Sequence, residues 1–366
     1  MKKHTRLCLG AFALTASLVN ATTAYAQSSV TLYGSIDNGI TYANNVSGKS
    51  ILMEQGGVSK VNTLGFSGVE DLGAGRSAIF KLENGFSSTA GTLGQGGLLF
   101  GKQAYVGLRD HAIGEVTLGR QYDFTVQLEP YMPCLGCGIY AVENADLDRI
   151  AGERLNNAVR FASAPFAGFS FGGIYSFAQN SGSLSTNQGR AYSAMAKFER
   201  GAFSSMAVVT DINDAPIAVG SLGVTQFLGQ RVTPGQSSIF VDNQRVVSVG
   251  ALYHLGKWTP SFTYSNTRLS NHGVSATDQV WRVGTTYMPI ASLTLAGQVA
   301  YDRFESSHWE ELNLGADYFL SKRTDVYLDA AAERASGPGT VASMFLLGAS
   351  STDSQIAVRV GMKHLF

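Results

Sequence analysis

Apolar and polar residues alternate with a period of two over most of this chain. In segment 30–42, VTLYGSIDNGITY, the even-numbered positions are mostly apolar and the odd-numbered positions mostly polar. Segments 293–302 and 311–318 repeat the pattern. Such alternation places apolar side chains on one face of a β-strand and polar side chains on the other, and no helical spacing of comparable strength is present.

Sixteen segments of this kind can be counted, each about as long as the roughly 9–11 residues that a tilted strand needs to cross a bilayer. They are 30–43, 61–71, 76–87, 101–110, 114–121, 156–164, 167–178, 189–200, 202–213, 244–256, 257–269, 277–288, 291–304, 307–320, 323–335 and 354–366.

The connections between these segments alternate between short turns and long polar stretches. Short turns include 71–76, 164–168, 199–203, 254–258, 288–292 and 320–323. Long stretches are 44–60, 122–155, 213–243 and 336–353. An even strand count with short turns on one side and long loops on the other predicts an all-β fold, an antiparallel transmembrane β-barrel. A barrel cannot be divided without creating unpaired edges, so we expect a single domain.

The last nine residues, VRVGMKHLF, are expected to form the closing strand. Val358, Val360, Met362 and Phe366 would face lipid, with Phe366 at the aromatic girdle, and His364 would break this row near the interface. This strand would pair with the first one.

The first 26 residues predict a cleaved signal peptide. A basic start, an apolar stretch from Leu7 to Val19 and the cleavage site Ala24-Tyr25-Ala26 have the required order. The mature chain would be 27–366, with 24 basic and 27 acidic residues and therefore a net charge of −3. This balance gives no electrostatic support for a nucleic-acid partner.

The composition agrees with export and a membrane barrel. Charged residues make up 15% of the sequence, against about 25% in ordinary soluble domains. No apolar run of about 18 residues follows the signal, so helical spans are not expected. In lipid, helices and closed barrels are the structures that satisfy the backbone hydrogen bonds.

Six motifs make the chain resemble the general-diffusion porins of Gram-negative outer membranes, most closely those of beta-proteobacteria. The motifs are SSVTLYGSIDNGI (28–40), LGFSGVEDLGAG (64–75), LGQGGLLFGKQAYVGL (93–108), VTLGRQYD (116–123), NNAVRFASAPFAGFSFG (156–172) and VGMKHLF (360–366).

This resemblance implies a sixteen-stranded, multi-pass outer-membrane barrel that passes small hydrophilic solutes and needs no cofactor. It implies a homotrimer surrounded by outer-membrane lipid and lipopolysaccharide. It also implies that the third long loop, 122–155, folds into the lumen, and that Phe366 is a signal for the barrel assembly machinery.

Porin selectivity arises from charges that face each other across a constriction. By resemblance, Lys102 and Arg160 match basic residues on the family's barrel wall, while Thr63 and Ser67 stand where other wall cations would be. We therefore expect a less positive constriction than in strongly anion-selective relatives. Lower-ranking wall candidates are Arg109 and Arg120.

The alternation turns Arg160 inward, because Val159 and Phe161 would face outward. For Lys102 the alternation is ambiguous, since its parity matches Val106 and Leu108. An outward lysine at mid-membrane would cost about 2–4 kcal/mol. We therefore predict an inward Lys102 and an outward Tyr105.

The loop offers several carboxylates to oppose these cations. The candidates are Asp123, Glu129, Glu143, Asp146 and Asp148. We favour Glu129 and Asp123, and the alternative for any of them is a solvated loop charge.

Cys134 and Cys137 are the cysteines of the predicted mature chain. An oxidising compartment makes a disulfide between them the preferred interpretation, and two free thiols the alternative. Without nearby histidines they cannot complete a four-ligand zinc site, so no metal site is expected.

Two other functional classes, an enzyme and an adhesin, are alternatives to a channel. The residues Gly168-Phe169-Ser170-Phe171-Gly172 fit the G-x-S-x-G elbow of hydrolases, but that motif needs a strand-to-helix turn, and here the strand pattern continues. An outer-membrane enzyme would also need a partner for Ser170. An adhesin would carry its function in outer loops such as 213–243.

Overall fold

The structure is a computed structural model that describes residues 29–134, 140–178 and 189–366. Its main sheet is a closed antiparallel barrel. Seventeen strand segments form this sheet. Two of them pair with successive halves of the first strand and therefore count as one interrupted strand, which leaves sixteen strands around the barrel. The predicted sixteen-stranded antiparallel barrel is therefore confirmed.

The strands are numbered β1 to β16 around the barrel. They are β1 Ser29–Val46, β2 in two segments (Lys49–Gly56 and Thr63–Gly73), β3 Arg76–Gly85, β4 Gln103–Asp110, β5 Gly114–Tyr122, β6 Arg154–Ser163, β7 Phe169–Ser176, β8 Ala191–Arg200, β9 Phe203–Ile217, β10 Ile239–Tyr253, β11 Trp258–Asn271, β12 Val274–Ile290, β13 Leu293–Phe304, β14 Ser307–Phe319, β15 Thr324–Ser336 and β16 Ser354–Leu365.

The barrel closes between β1 and β16. Asp37 lies opposite Lys363, and Tyr42 lies opposite Val358. Phe366 extends this pairing beyond the last strand: its carbonyl accepts from the Gly34 N–H at 3.0 Å, and its N–H donates to the Gly34 carbonyl at 3.1 Å. The chain end is thus fixed by backbone hydrogen bonds rather than frayed.

The two faces of the sheet follow the alternation in the sequence. On β16, Val360 is 60% exposed on the outer surface, whereas the neighbouring Arg359 is fully buried inside. Arg359 lies in the interior with its guanidinium 3.7 Å from the Asp37 carboxylate. The outward row is apolar because it must contact lipid, and the inward row can be charged because it does not.

The prediction of a long connection over 44–60 is wrong. β1 continues to Val46, and a two-residue turn at Ser47 and Gly48 leads directly into Lys49–Gly56. Both turn residues have positive φ, 51° and 87°, which is the conformation that tight hairpins require. The Ser-Gly pair indicates such a hairpin turn, but the polar residues around it favoured the prediction of a long loop.

The third loop, defined here as residues 123–153, contacts inward-facing side chains on both sides of the barrel. The Tyr140 hydroxyl lies 3.0 Å from the Thr41 Oγ1 on β1. The Gln244 amide on β10 donates to the Leu147 carbonyl at 2.8 Å. Within the loop, Thr125–Tyr131 forms a 3₁₀ helix. These contacts place the described part of the loop within the ring of strands.

Two other long connections pack against the third loop. The connection 218–238 contributes Leu222 and Phe227, and the connection 337–353 contributes Ala342, to an apolar cluster that includes Leu128 and Leu147. The barrel interior therefore contains a hydrophobic core on one side. Among the described residues, no helix has the length and apolarity to cross a bilayer.

Candidate functional site

A cavity of about 530 Å³ lies between the third loop and the wall formed by the first strands. The wall side carries Tyr33, Lys81, Glu83 and Lys102, among others. The loop side is mostly apolar, and it is lined by Val126, Glu129, Met132, Val142 and Ile150. We call this space the lumen cavity.

Glu83 is the centre of the polar wall. Its carboxylate lies 3.3 Å from the Lys81 ammonium and 3.4 Å from the Lys102 ammonium, and it accepts a hydrogen bond from the Tyr33 hydroxyl at 2.7 Å. Lys81 also lies over the Tyr33 ring, 5.4 Å from its centroid. Two cations around one carboxylate leave this part of the wall positive.

Lys102 points into the barrel as predicted, but the reasoning from Tyr105 was wrong. Lys102 is 8% exposed, and its ammonium donates to the Thr63 hydroxyl at 2.7 Å. Tyr105 lies opposite Lys81 on the inward face, while Val106 is exposed outside. Because β4 begins at Gln103, the strand alternation does not extend to Lys102.

The other predicted wall cations do not line the lumen cavity. Arg160 faces inward, lies 3.0 Å from Glu115 and stacks over the Phe124 ring at 4.7 Å. Arg109 is exposed near the turn after β4 and pairs with the same Glu115 at 2.8 Å. These two arginines share one carboxylate, which neutralises half of their charge.

Arg120 is occupied by structural contacts. Its Nε donates to the Gly101 carbonyl at 2.9 Å, and its Nη1 donates to Asn156. These bonds fix the backbone just before Lys102. Arg120 therefore positions the segment that carries a cavity residue, although it does not itself line the cavity.

Of the predicted loop carboxylates, Glu129 alone lines the lumen cavity. Asp123 is 1% exposed and forms an ion pair with Arg149 at 2.8 Å. Glu143 and Asp146 are buried on the opposite side of the loop. Burial first, and then the charges of neighbouring carboxylates, raise the pKa of Glu143 well above its ordinary value.

Lys60 and Lys81, which were not predicted as wall residues, line the cavity beside Lys102. Lys81 had a readable signal: in AIFKLEN, Lys81 and Glu83 alternate with Phe80 and Leu82, so both had to face inward. Lys60 lies in the interruption of β2, between Gly56 and Thr63, where no strand pattern applies.

The fixed charges that line the lumen cavity sum to a small positive value. Lys60, Lys81 and Lys102 contribute three positive charges, and Glu83 and Glu129 contribute two negative ones. The sequence predicts a constriction less positive than in strongly anion-selective relatives, and this comparison stays a prediction.

Cys134 lines the same cavity, is fully buried and is disulfide-bonded. Its expected partner, Cys137, lies outside the described residues, so the pairing of the two stays a prediction. The signal peptide, 1–26, also lies outside the described residues.

The G-x-S-x-G motif does not form a nucleophile elbow. β7 runs through Phe169–Ser176, and Ser170 lies opposite Lys197 on β8 in continuous antiparallel pairing. An elbow needs a sharp turn into a helix directly after the serine, and the strand continues there instead.

The ring of Phe366 covers Gly34 on the outer face, where a Cβ at Gly34 would collide with it. Gly34 has the parity of Leu32 and Ile36, which are exposed outside. Gly34 and Phe366 also line the lumen cavity, so the ring does not lie wholly on the outer surface, and its place in the aromatic girdle stays a prediction.

Comparisons with known proteins agree with this architecture. Residues 11–338 match the family model described as Gram-negative porin. An outer membrane porin protein of Bordetella pertussis is 36% identical over 43% of this chain and 45% of its own length. Outer membrane porin protein 32 of Delftia acidovorans is 27% identical over 94% of this chain and 95% of its own length.

The fold has a counterpart of known structure. An anion-selective porin from Comamonas acidovorans superposes with a TM-score of 0.77 at 23% identity, covering 93% of this chain and 100% of that one. The family match extends from the predicted signal segment to the connection before the last strand. On this evidence, the chain belongs to the Gram-negative porin family.

Proposed function

We propose that this protein is an outer-membrane porin, a passive channel for ions and small hydrophilic solutes. The observation that carries the proposal is the lumen cavity, which has a volume of about 530 Å³. In it, three lysines and Glu83 on one wall face the third loop. Such a space admits water and small solutes, and its charged side chains favour a water-filled interior. Family membership supports a channel rather than an enzyme.

We further propose that the channel weakly favours anions. The lining has a net charge of +1, with all three cations on the wall. The loop side contributes one carboxylate among apolar residues, so an anion meets little repulsion there. Charged linings of this kind set selectivity at close range.

The test is conductance of the purified protein in planar lipid bilayers. Stepwise, ohmic current increments and a reversal potential displaced slightly toward the anion equilibrium potential are expected. Membranes that stay silent at protein amounts that conduct for a known porin would contradict the channel proposal. A reversal potential on the cation side would contradict only the selectivity.

The proposal also covers assembly and location. We infer a homotrimer in the outer membrane, in contact with lipid and lipopolysaccharide, that is exported with a cleaved signal and inserted by the barrel assembly machinery through Phe366. The apolar outward rows and the fixed chain end support this inference. Native mass spectrometry should give a trimer of chains that begin at Gln27, and a monomer or an uncleaved chain would contradict it.

A further inference from the structure

The lumen cavity carries two opposite charges that the protein itself does not pair. Lys60 on the wall side and Glu129 on the loop side both line this cavity. Within residues 29–134, 140–178 and 189–366, neither side chain has an ion-pair partner within 4.0 Å. The Lys60 ammonium and the Glu129 carboxylate are therefore too far apart to neutralise each other, and both remain available to a solute.

The other cations of the lining are less available than Lys60. Lys81 and Lys102 share the carboxylate of Glu83, at 3.3 Å and 3.4 Å. Lys102 is also almost completely buried, and its ammonium donates to the Thr63 hydroxyl. Lys60, in contrast, is exposed. The wall therefore offers one accessible ammonium group, and the loop offers one accessible carboxylate.

The 3₁₀ helix of the third loop places apolar side chains on both sides of Glu129. Side chains three residues apart share a face of such a helix. The face turned away from the cavity is buried, and it consists of Thr125, Leu128 and Tyr131. The other face lines the cavity with Val126, Glu129 and, directly after the helix, Met132. The free carboxylate thus lies in an apolar surround.

Val126 does not contribute to the hydrophobic core. It is partly exposed, and it is not a member of the apolar cluster that other described residues of the third loop form. Its contact with an apolar group of a solute would remove both surfaces from water, which is favourable. Small-molecule sites combine an apolar lining with a few polar groups in cavities of roughly 300–1,000 Å³, and the lumen cavity of about 530 Å³ has this character.

We propose that the lumen cavity binds zwitterionic solutes with an apolar side chain, the chemistry of an apolar α-amino acid. The carboxylate of the solute pairs with Lys60, its ammonium group pairs with Glu129, and its side chain contacts Val126 and Met132. This inference rests on the proposed channel function, which brings solutes from water to the cavity.

The dimensions of the cavity agree with such a solute. Hydrogen bonds of about 2.8 Å at the two ends, with about 3 Å between the charged groups, give a span of about 9 Å. A spherical cavity of about 530 Å³ is about 10 Å across. One small zwitterion can therefore contact the loop and the wall at the same time.

The test is equilibrium binding to the purified protein in detergent, followed by saturation-transfer NMR with protein-free micelles as the blank. Four probes separate the three contacts: phenylalanine has all three groups, 3-phenylpropionate lacks the ammonium group, 2-phenylethylamine lacks the carboxylate, and serine lacks the apolar side chain. We expect phenylalanine to bind at least about tenfold more tightly than each of the others, because each lacks a charge-assisted hydrogen bond or an apolar contact.

Three variants assign the contacts to residues. Glu129→Gln should make phenylalanine and 3-phenylpropionate bind about equally, and Lys60→Gln should do the same for phenylalanine and 2-phenylethylamine. Val126→Thr keeps a side chain of similar size but adds a hydroxyl group, so it should narrow the difference between phenylalanine and serine at least about threefold. Glu153→Gln is the matched control, because Glu153 is exposed and does not line the cavity, and its binding should equal that of the wild type.

The proposal is wrong if phenylalanine binds to the wild type no more tightly than 3-phenylpropionate or 2-phenylethylamine. Equal losses in Glu129→Gln and Glu153→Gln would also contradict it. Should a variant not fold, the comparison of the four probes on the wild type still decides. Binding in detergent requires no current, so a negative result here leaves the channel proposal standing, and silent membranes would leave a measured binding preference intact.

Discussion

Glu129 offers the sharpest test of how the lumen cavity selects ions. It is the one carboxylate that the described part of the third loop directs at this cavity, and its side chain has no ion pair within 4 Å among the described residues. Replacing it with glutamine keeps the shape and removes one negative charge. The net charge of the lining would rise from +1 to +2.

The size of the effect follows from the size of the cavity. A sphere of about 530 Å³ has a radius of about 5 Å, so a permeating ion passes about 5 Å from the lining. At this distance one unit charge is worth about 0.8 kcal/mol in water, and about 0.5 kcal/mol with screening at 0.1 M salt. The smaller energy changes the local ion concentration about twofold and the larger about fourfold, in opposite directions for anions and cations.

We therefore expect Glu129→Gln to raise the anion-to-cation permeability ratio about five- to fifteenfold. The assay is the reversal potential across a planar bilayer in a tenfold salt gradient. Glu153→Gln is the matched control, because Glu153 is an exposed carboxylate of the same loop that does not line the cavity. A ratio that changes less than about twofold, or changes equally in both variants, would refute the assignment of the cavity as the selective passage.

Three further predictions concern the wall, the cysteines and the chain end. Lys102→Ala should shift the reversal potential toward cations, whereas Arg160→Ala should shift it much less, because Arg160 does not line the lumen cavity; the opposite order would contradict the cavity lining. Intact mass after alkylation of the unreduced mature protein should show no added label, in agreement with the disulfide at Cys134; two labels would disprove a bridge. Gly34→Ala should reduce the yield of folded, heat-modifiable barrel, because the new methyl group collides with the ring of Phe366 and with the Thr63 carbonyl oxygen. Gly173→Ala, with nothing within 4 Å of the added atom, should fold normally, and equal yields would contradict the close packing around Gly34.

The strand pattern could be predicted because barrel residues face either lipid or the interior. Each of the sixteen predicted segments overlaps a strand of the barrel, and the outward parity of Val358, Val360 and Met362 is as expected. The error at 44–60 arose because short polar hairpins and true loops have similar composition. Alternation also failed at Lys102, which precedes its strand.

The candidate site was predictable only in part. Lys102, chosen by resemblance, and Glu129, chosen as a loop carboxylate, both line the lumen cavity, and their role in selectivity stays a prediction. The sequence did not exclude Asp123, whose charge is used by Arg149, or Arg160, whose charge is used by Glu115. Ion pairs between residues that are distant in sequence decide which charges remain for solutes, and no local pattern records them.

The sequence by itself determined the barrel, because a period of two, repeated sixteen times, has one stable outcome in a bilayer: every backbone group must find a partner on the next strand. The tertiary structure alone decided the interior. The course of the third loop places Glu129 beside the passage and Glu143 against Asp278 and Asp302. That course depends on contacts across the whole barrel, such as those of Tyr140 with β1 and Leu147 with β10, which join residues far apart in the sequence.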